Sequence, residues 1–283
     1  MTNTRFCRGS WSVPGVLAVL LVPPITAKAT PAIEPAREQV IRIVDQIRRA
    51  DYEGDREALR RLRLALTPFV VNRDLSSRVH YWRGFALWRR ALNGFNDHVD
   101  PKDLQADLLQ AMDDFEDAVA KDPGLVDAKV AALGCAGYLA FATGEKDNDR
   151  IQHWIAKGET LQREAQAADP SNPRLMWVDG PGVWFTPPEH GGGQEKAISV
   201  YEEGLASIRK PKSSPTDPLD PSWGEPELLM SLAWSNLNRT NPDLDAADRY
   251  ARAALQMVPH WHYVRDILLP QIAEARAKKM SKK

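Results

Sequence analysis

The chain has 283 residues, 43% hydrophobic and 27% charged, enough apolar material for one or two ordinary domains with a sizeable core. Its 17 Gly and 21 Pro are too few for general disorder, and a formal net charge of −1 argues against a broadly basic, nucleic-acid-binding surface. Nine Trp are the compositional excess.

In chain order, the N-terminus reads as an export signal. Arg5 and Arg8 precede an apolar run over residues 13–22, interrupted only by Pro14 and Gly15, and Ala27-Lys28-Ala29 then presents small residues for cleavage before Thr30. The run is shorter than the ~20 residues that span a bilayer, so residues 1–29 are expected to be a cleavable signal peptide. No integral span is expected in the mature chain, and its location is expected to be periplasmic or secreted. Cys7 precedes the run and so cannot be a lipid-carrying Cys. Cleavage leaves 34 basic against 38 acidic residues, a net of −4, and Cys135 as the one remaining Cys. No internal disulfide is then possible, and Cys135, within the apolar stretch 131–141, reads as a buried small hydrophobe.

Five segments then carry small, large and small residues at i, i+4 and i+7: Ala58, Leu62, Ala65; Ala111, Phe115, Ala118; Gly158, Gln162, Ala165; Ala197, Tyr201, Gly204; and Ala246, Tyr250, Ala253. This spacing puts each set on one helical face, where small residues admit a neighbouring helix and the large one fills the groove between them. Asp122-Pro123 and Asp169-Pro170 stop the second and third helices. A partner helix containing a Gly precedes the second, third and fourth sets: residues 79–90 with Gly84, 127–141 with Gly134 and 174–185 with Gly180. A helical Gly costs about 1 kcal/mol relative to Ala, so these three mark close packing.

The pattern resembles the tetratricopeptide repeat (TPR) from about residue 34 to 259. Leu133-Gly134 matches the family's helix-A pair, and Ala111, Phe115, Ala118 and Pro123 match its helix-B set. The fourth hairpin departs most, because Asp179-Gly180-Pro181-Gly182 is expected to break or kink its first helix. Intervals of 53, 47, 39 and 49 residues between the first small residues exceed the family unit of ~34. The excess is assigned to loops at 93–102, 143–150, 186–193 and 211–226, the last Pro-rich and expected to run extended over the surface. Residues 261–277, with Ile267, Leu268, Ile272 and Ala275, read as a capping helix. Lys278, Lys279, Lys282 and Lys283 read as a basic disordered tail at 278–283. The resemblance thus implies an all-α fold: an α-α superhelix of about five TPR-like hairpins plus a capping helix, over residues 30–277.

Signatures of enzyme chemistry are absent: there is no P-loop, His-Glu-x-x-His, Gly-x-Ser-x-Gly or Cys-x-x-Cys. His260-Trp261-His262 lacks the further ligands of a metal site. No enzyme activity, metal or cofactor is therefore expected. The loop from Trp184 to Gly193, followed by the helix bearing Ala197, resembles the Pro-x-x-x-Gly-Gly stretch of the TatT-type periplasmic component linked to TRAP transporters.

Helix A lines the concave surface in TPR proteins. The resemblance therefore implies a protein or peptide partner held in an aromatic-lined groove, with Trp82, Trp88, Trp177, Trp184, Phe185 and Trp234 as anchors. His190 and the backbone N–H groups around Gly192 and Gly193 are expected to fix a polar end. The alternative is a small organic ligand captured for a transporter, in a pocket closed by the 186–193 and 211–226 loops.

Overall fold

Short polar residues and prolines set the helix boundaries. The computed structural model describes residues 35–144, 147–211 and 216–281, and among these residues it contains helices and no strand. The expected signal peptide at 1–29 and Lys282 and Lys283 lie outside the described residues. Helix α1 (Ala36–Glu53) ends at Gly54, whose left-handed φ of 74° lets its N–H reach the Ala50 and Asp51 carbonyls. The Asp55 carboxylate then caps α2 (Arg56–Ala65) by accepting from the Ala58 N–H. Helix α3 (Ser76–Asn96) is followed by α4 (Pro101–Lys121), which Asp100 caps and Pro101 opens. Next come α5 (Val126–Thr143) and α6 (Asn148–Ala168), the latter capped by Asp147. Asn172 caps α7 (Pro173–Phe185), and α8 (Gln194–Ile208), α9 (Glu225–Asn238) and the Asp243-capped α10 (Leu244–Met257) follow. A π-helical turn, Tyr263–Leu268, runs into α11 (Leu269–Met280) just ahead of Pro270, which lacks an N–H for the regular ladder.

Sequential helices pack in pairs, α1 with α2, α3 with α4, α5 with α6, α7 with α8 and α9 with α10. The fold is an all-α helical repeat array. The segment between α10 and the π-helical turn meets the first hairpin: the Tyr52 and Trp261 rings lie 5.0 Å apart, and Gly54 abuts His262. Helix α5 is long and apolar enough to cross a membrane, but its partners here are α3, α4, α6 and α7.

Glycine notches admit close neighbours, Gly84 and Gly180 within their own hairpins and Gly134 of α5 toward α3. A Cβ added at Gly84 would meet the Ala111 carbonyl and the Phe115 ring at 3.0 Å, and one at Gly134 would meet Trp88 at 2.6 Å. At Gly180 the Tyr201 ring already occupies the Cβ position, with contacts of 2.0 to 2.3 Å. Ala111, Phe115 and Ala118 are fully buried, as are Ala197 and, nearly so, Tyr201.

The register differs in three helices. In α6 it is Leu161, not Gln162, that is buried. In and just after α2, Leu59 and Leu66 are the buried residues while Ala58 is partly buried and Ala65 exposed, and in α10 Ala246 is buried as expected but Ala247, Ala251 and Ala254, not Tyr250 and Ala253, complete the buried face. Three further expectations are corrected. Helix α7 continues through Pro181 without a break, held by the packing of Gly180 on Tyr201. Lys278 and Lys279 belong to α11 and not to a tail, because Lys278 pairs with Glu274 one turn earlier at 2.6 Å and cations suit a helix C-terminus.

The third correction concerns the loop between α8 and α9. Its residues 219–224 turn inward: Leu219 is 0% and Trp223 3% exposed. Both sit against the α3 face that carries Tyr81, Trp82, Phe85 and Trp88. Beyond them a buried charge cluster ties α1, α3 and α9 together. Arg89 lies 2.8 Å from Asp51 and 3.2 Å from Glu227, and Glu227 also accepts from the Tyr52 hydroxyl and the Gly224 N–H. Burial alone would lower the Arg89 pKa, but the two carboxylates more than reverse this and the guanidinium stays charged.

If the notches hold the pairs together, Gly180→Ala will destabilise the protein by about 1–3 kcal/mol through overpacking on Tyr201. Gly137→Ala, whose added Cβ meets nothing within 4 Å, will be neutral or stabilising by up to about 1 kcal/mol. Urea unfolding of the two variants checks this, and equal effects would contradict it.

Candidate functional site

The structure separates the expected groove residues into two groups. Trp82 and Trp88 are 0% exposed and are core residues, contrary to their expected role as ligand anchors. The Trp82 indole donates to the Leu219 carbonyl at 2.8 Å, and Trp88 packs on Phe115, Trp177 and Trp223. Trp177 is also buried, its indole N–H donating to the Ser231 hydroxyl at 3.0 Å. The reason is steric: the α8–α9 loop fills the face on which a ligand was expected.

The second group meets at the C-terminal end of α7. Trp184, Phe185, Gly192 and Gly193 line a recess of about 560 Å³ together with Pro187, Pro188 and the α9–α10 turn at Thr240 and Asn241. Trp184 forms part of its wall and packs edge-on against the half-buried Trp234 with centroids 5.2 Å apart. Phe185 stands out from the wall, 78% exposed.

The loop after α7 is rigidly built. Gly191 and Gly193 adopt φ of 86° and 102°, which L side chains rarely do. Gly192 presses so closely on Thr186 that a Cβ would lie 2.4 Å from it. Across the recess, Gln194 accepts from the Thr240 N–H at 2.8 Å, and Glu195 pairs with Arg239. The Gly192 N–H donates to Pro187 and the Gly193 N–H to Val183, so neither is left to hold a ligand's polar end. His190 is exposed and does not line the recess. Among the described residues of the 211–226 loop none lines it either, the anchored part having turned inward to α3.

Sequence reading missed Phe141. It is 76% exposed and contacts Phe95, which in turn packs on Tyr138. A signal was present: α3, α5 and α7 each place a Phe in the last turn, at Phe95, Phe141 and Phe185. Among the described residues no three His, Cys, Asp or Glu converge as metal ligands. His262 pairs with Asp266 at 2.8 Å, and His260 sits edge-on to Tyr52.

Two solved structures share this architecture. The HusA haemophore of Porphyromonas gingivalis is similar with a TM-score of 0.55 and 16% sequence identity, over 73% of this chain and 95% of that one. A thermophilic TPR protein of Thermus thermophilus is similar with a TM-score of 0.50 and 17% identity, over 86% of this chain and 100% of that one. The fold is TPR-like. No family model and no curated protein matches the sequence.

The two aromatic neighbours at the recess have opposite structural weight. Phe185→Ala is expected to change stability by no more than about 0.5 kcal/mol, and Trp184→Ala to cost about 3–5 kcal/mol. Denaturant unfolding distinguishes them; a large loss at Phe185 would mean that it is a packing residue.

Proposed function

We propose that this chain is an exported, periplasmic or secreted TPR-like scaffold that performs no catalysis and binds a segment of a partner protein at the recess beside Phe185. The observation that carries the reading is Phe185 itself. Its side chain is 78% exposed, on the last residue of α7, beside a recess of about 560 Å³. An exposed aromatic next to an apolar hollow is the arrangement in which contact with a partner buries most area per ordered side chain. Phe141, similarly exposed at the end of the preceding hairpin's first helix, extends the surface on which such a segment would lie.

A small organic ligand is the second reading. It draws on the recess volume, which suits a small molecule. The name haemophore, carried by a structural neighbour, denotes a protein that captures haem. The resemblance of the 184–193 loop to a transporter-linked periplasmic component points the same way.

Selection of a random-peptide library on the full chain tests the first reading. Enriched peptides should bind at least about tenfold more weakly to Phe185→Asp, whose far-UV circular dichroism stays unchanged. If instead no peptide is enriched and haemin or another small compound raises the melting temperature of the intact chain, the second reading replaces it. Peptides that bind regardless of Phe185 would remove the recess from the account.

A further inference from the structure

The segment from Asp217 to Gly224 has no helical structure, yet it is held as a bound peptide is held. Its buried side chains alternate: Leu219, Pro221 and Trp223 point inward while Pro218 and Ser222 are exposed. Four of its carbonyls accept from side chains of the surrounding helices. Arg48 donates to Pro218 at 2.6 Å and Trp82 to Leu219 at 2.8 Å. Arg174 donates to Pro221 at 2.5 Å and to Trp223 at 2.8 Å. Both acids are paired, Asp217 with Arg37 at 2.7 Å and Asp220 with Arg78 at 2.9 Å. Trp223 fills an aromatic socket, with its ring 5.5 Å from Trp88 and 5.4 Å from Trp177, its face under the Arg174 guanidinium and its N–H on the Tyr81 hydroxyl at 2.6 Å.

These are the elements by which a groove reads an extended peptide: backbone carbonyls fixed by side-chain donors, pockets for alternate residues, one aromatic anchor and charge pairs along the length. The donors come from α1, α3 and α7, so the groove is built by the repeat array, while the occupant comes from the connection between α8 and α9. We propose that the inner wall of α1, α3 and α7 is a peptide-recognition groove that the chain occupies with its own residues 217–224. A segment of the same chemistry, two acids flanking Pro-Leu in a turn and followed by Pro and Trp, enters only when this internal segment leaves. The inference does not depend on what the Phe185 recess binds.

The test uses the full chain and a fluorescent synthetic peptide that reproduces residues 216–224. In a second chain, residues 217–223 are replaced by a Gly/Ser run of equal length. The vacated chain should bind the peptide at least about tenfold more tightly than the intact chain, and replacing the peptide's Trp by Ala should remove that binding. Equal binding by both chains would overturn the proposal, as would a vacated chain that keeps its helical circular dichroism and ignores the peptide. Should the vacated chain lose its helical signal, the decision passes to Asp217→Asn combined with Asp220→Asn. These changes weaken the internal segment's ion pairs while Leu219 and Trp223 remain. That chain should take up the peptide at least about tenfold more tightly than the intact one, and exclusion equal to the intact chain's would overturn the idea.

Discussion

Trp223 is the contact on which the rest of the array depends. Helices α3 and α7 meet through their Trp88 and Trp177 rings, 5.9 Å apart; the Trp223 ring packs against both and bonds to Tyr81. Burying a Trp removes on the order of 200 Å² from water, worth on the order of 5 kcal/mol before conformational entropy is counted. The same insertion aligns α9, since Gly224 donates directly to Glu227, which in turn meets Arg89 and Tyr52. One aromatic side chain and one buried charge cluster therefore join the first, second, fourth and fifth hairpins.

Filling the inner face has a consequence for recognition. In an open array the helix-A aromatics would be free to receive a partner. Here that face is already covered in its apolar area, and the indole N–H groups of Trp82, Trp177 and Trp223 are bonded. The aromatic surface left to solvent lies at the ends of α5 and α7, at Phe141 and Phe185. These positions belong to helix C-termini and to the rigid glycine loop that follows, where side chains can be offered outward without opening the core.

Much of the fold was legible because its rules are local. A 3.6-residue period, prolines after Asp122 and Asp169, and glycines inside apolar helices each constrain the backbone within a few residues. They located the second and fourth hairpins correctly, with Gly84 and Gly180 at real contacts. The register in α2, α6 and α10 was less legible, since two overlapping stripes on one helix differ by a single residue and neighbouring elements choose between them. The fate of the 209–224 connection was not legible at all. Its prolines and acids read as a surface loop, and nothing near Trp223 in sequence indicates the socket made by Trp88 and Trp177, distant along the chain. The error then propagated to the site: with the loop placed outside, Trp82, Trp88 and Trp177 read as free to bind, whereas at the end of α7 Trp184 is buried and Phe185 is exposed.

The central claim is that the inner face is closed by Trp223 and not open to solvent. Incorporation of 5-fluorotryptophan, followed by ¹⁹F NMR with a soluble paramagnetic agent, reads each Trp separately. The account predicts that the resonances of Trp82, Trp88 and Trp223 stay sharp while the half-buried Trp154 and Trp234 broaden. Broadening of Trp223 together with Trp82 and Trp88 would mean that the face is open, and would contradict it.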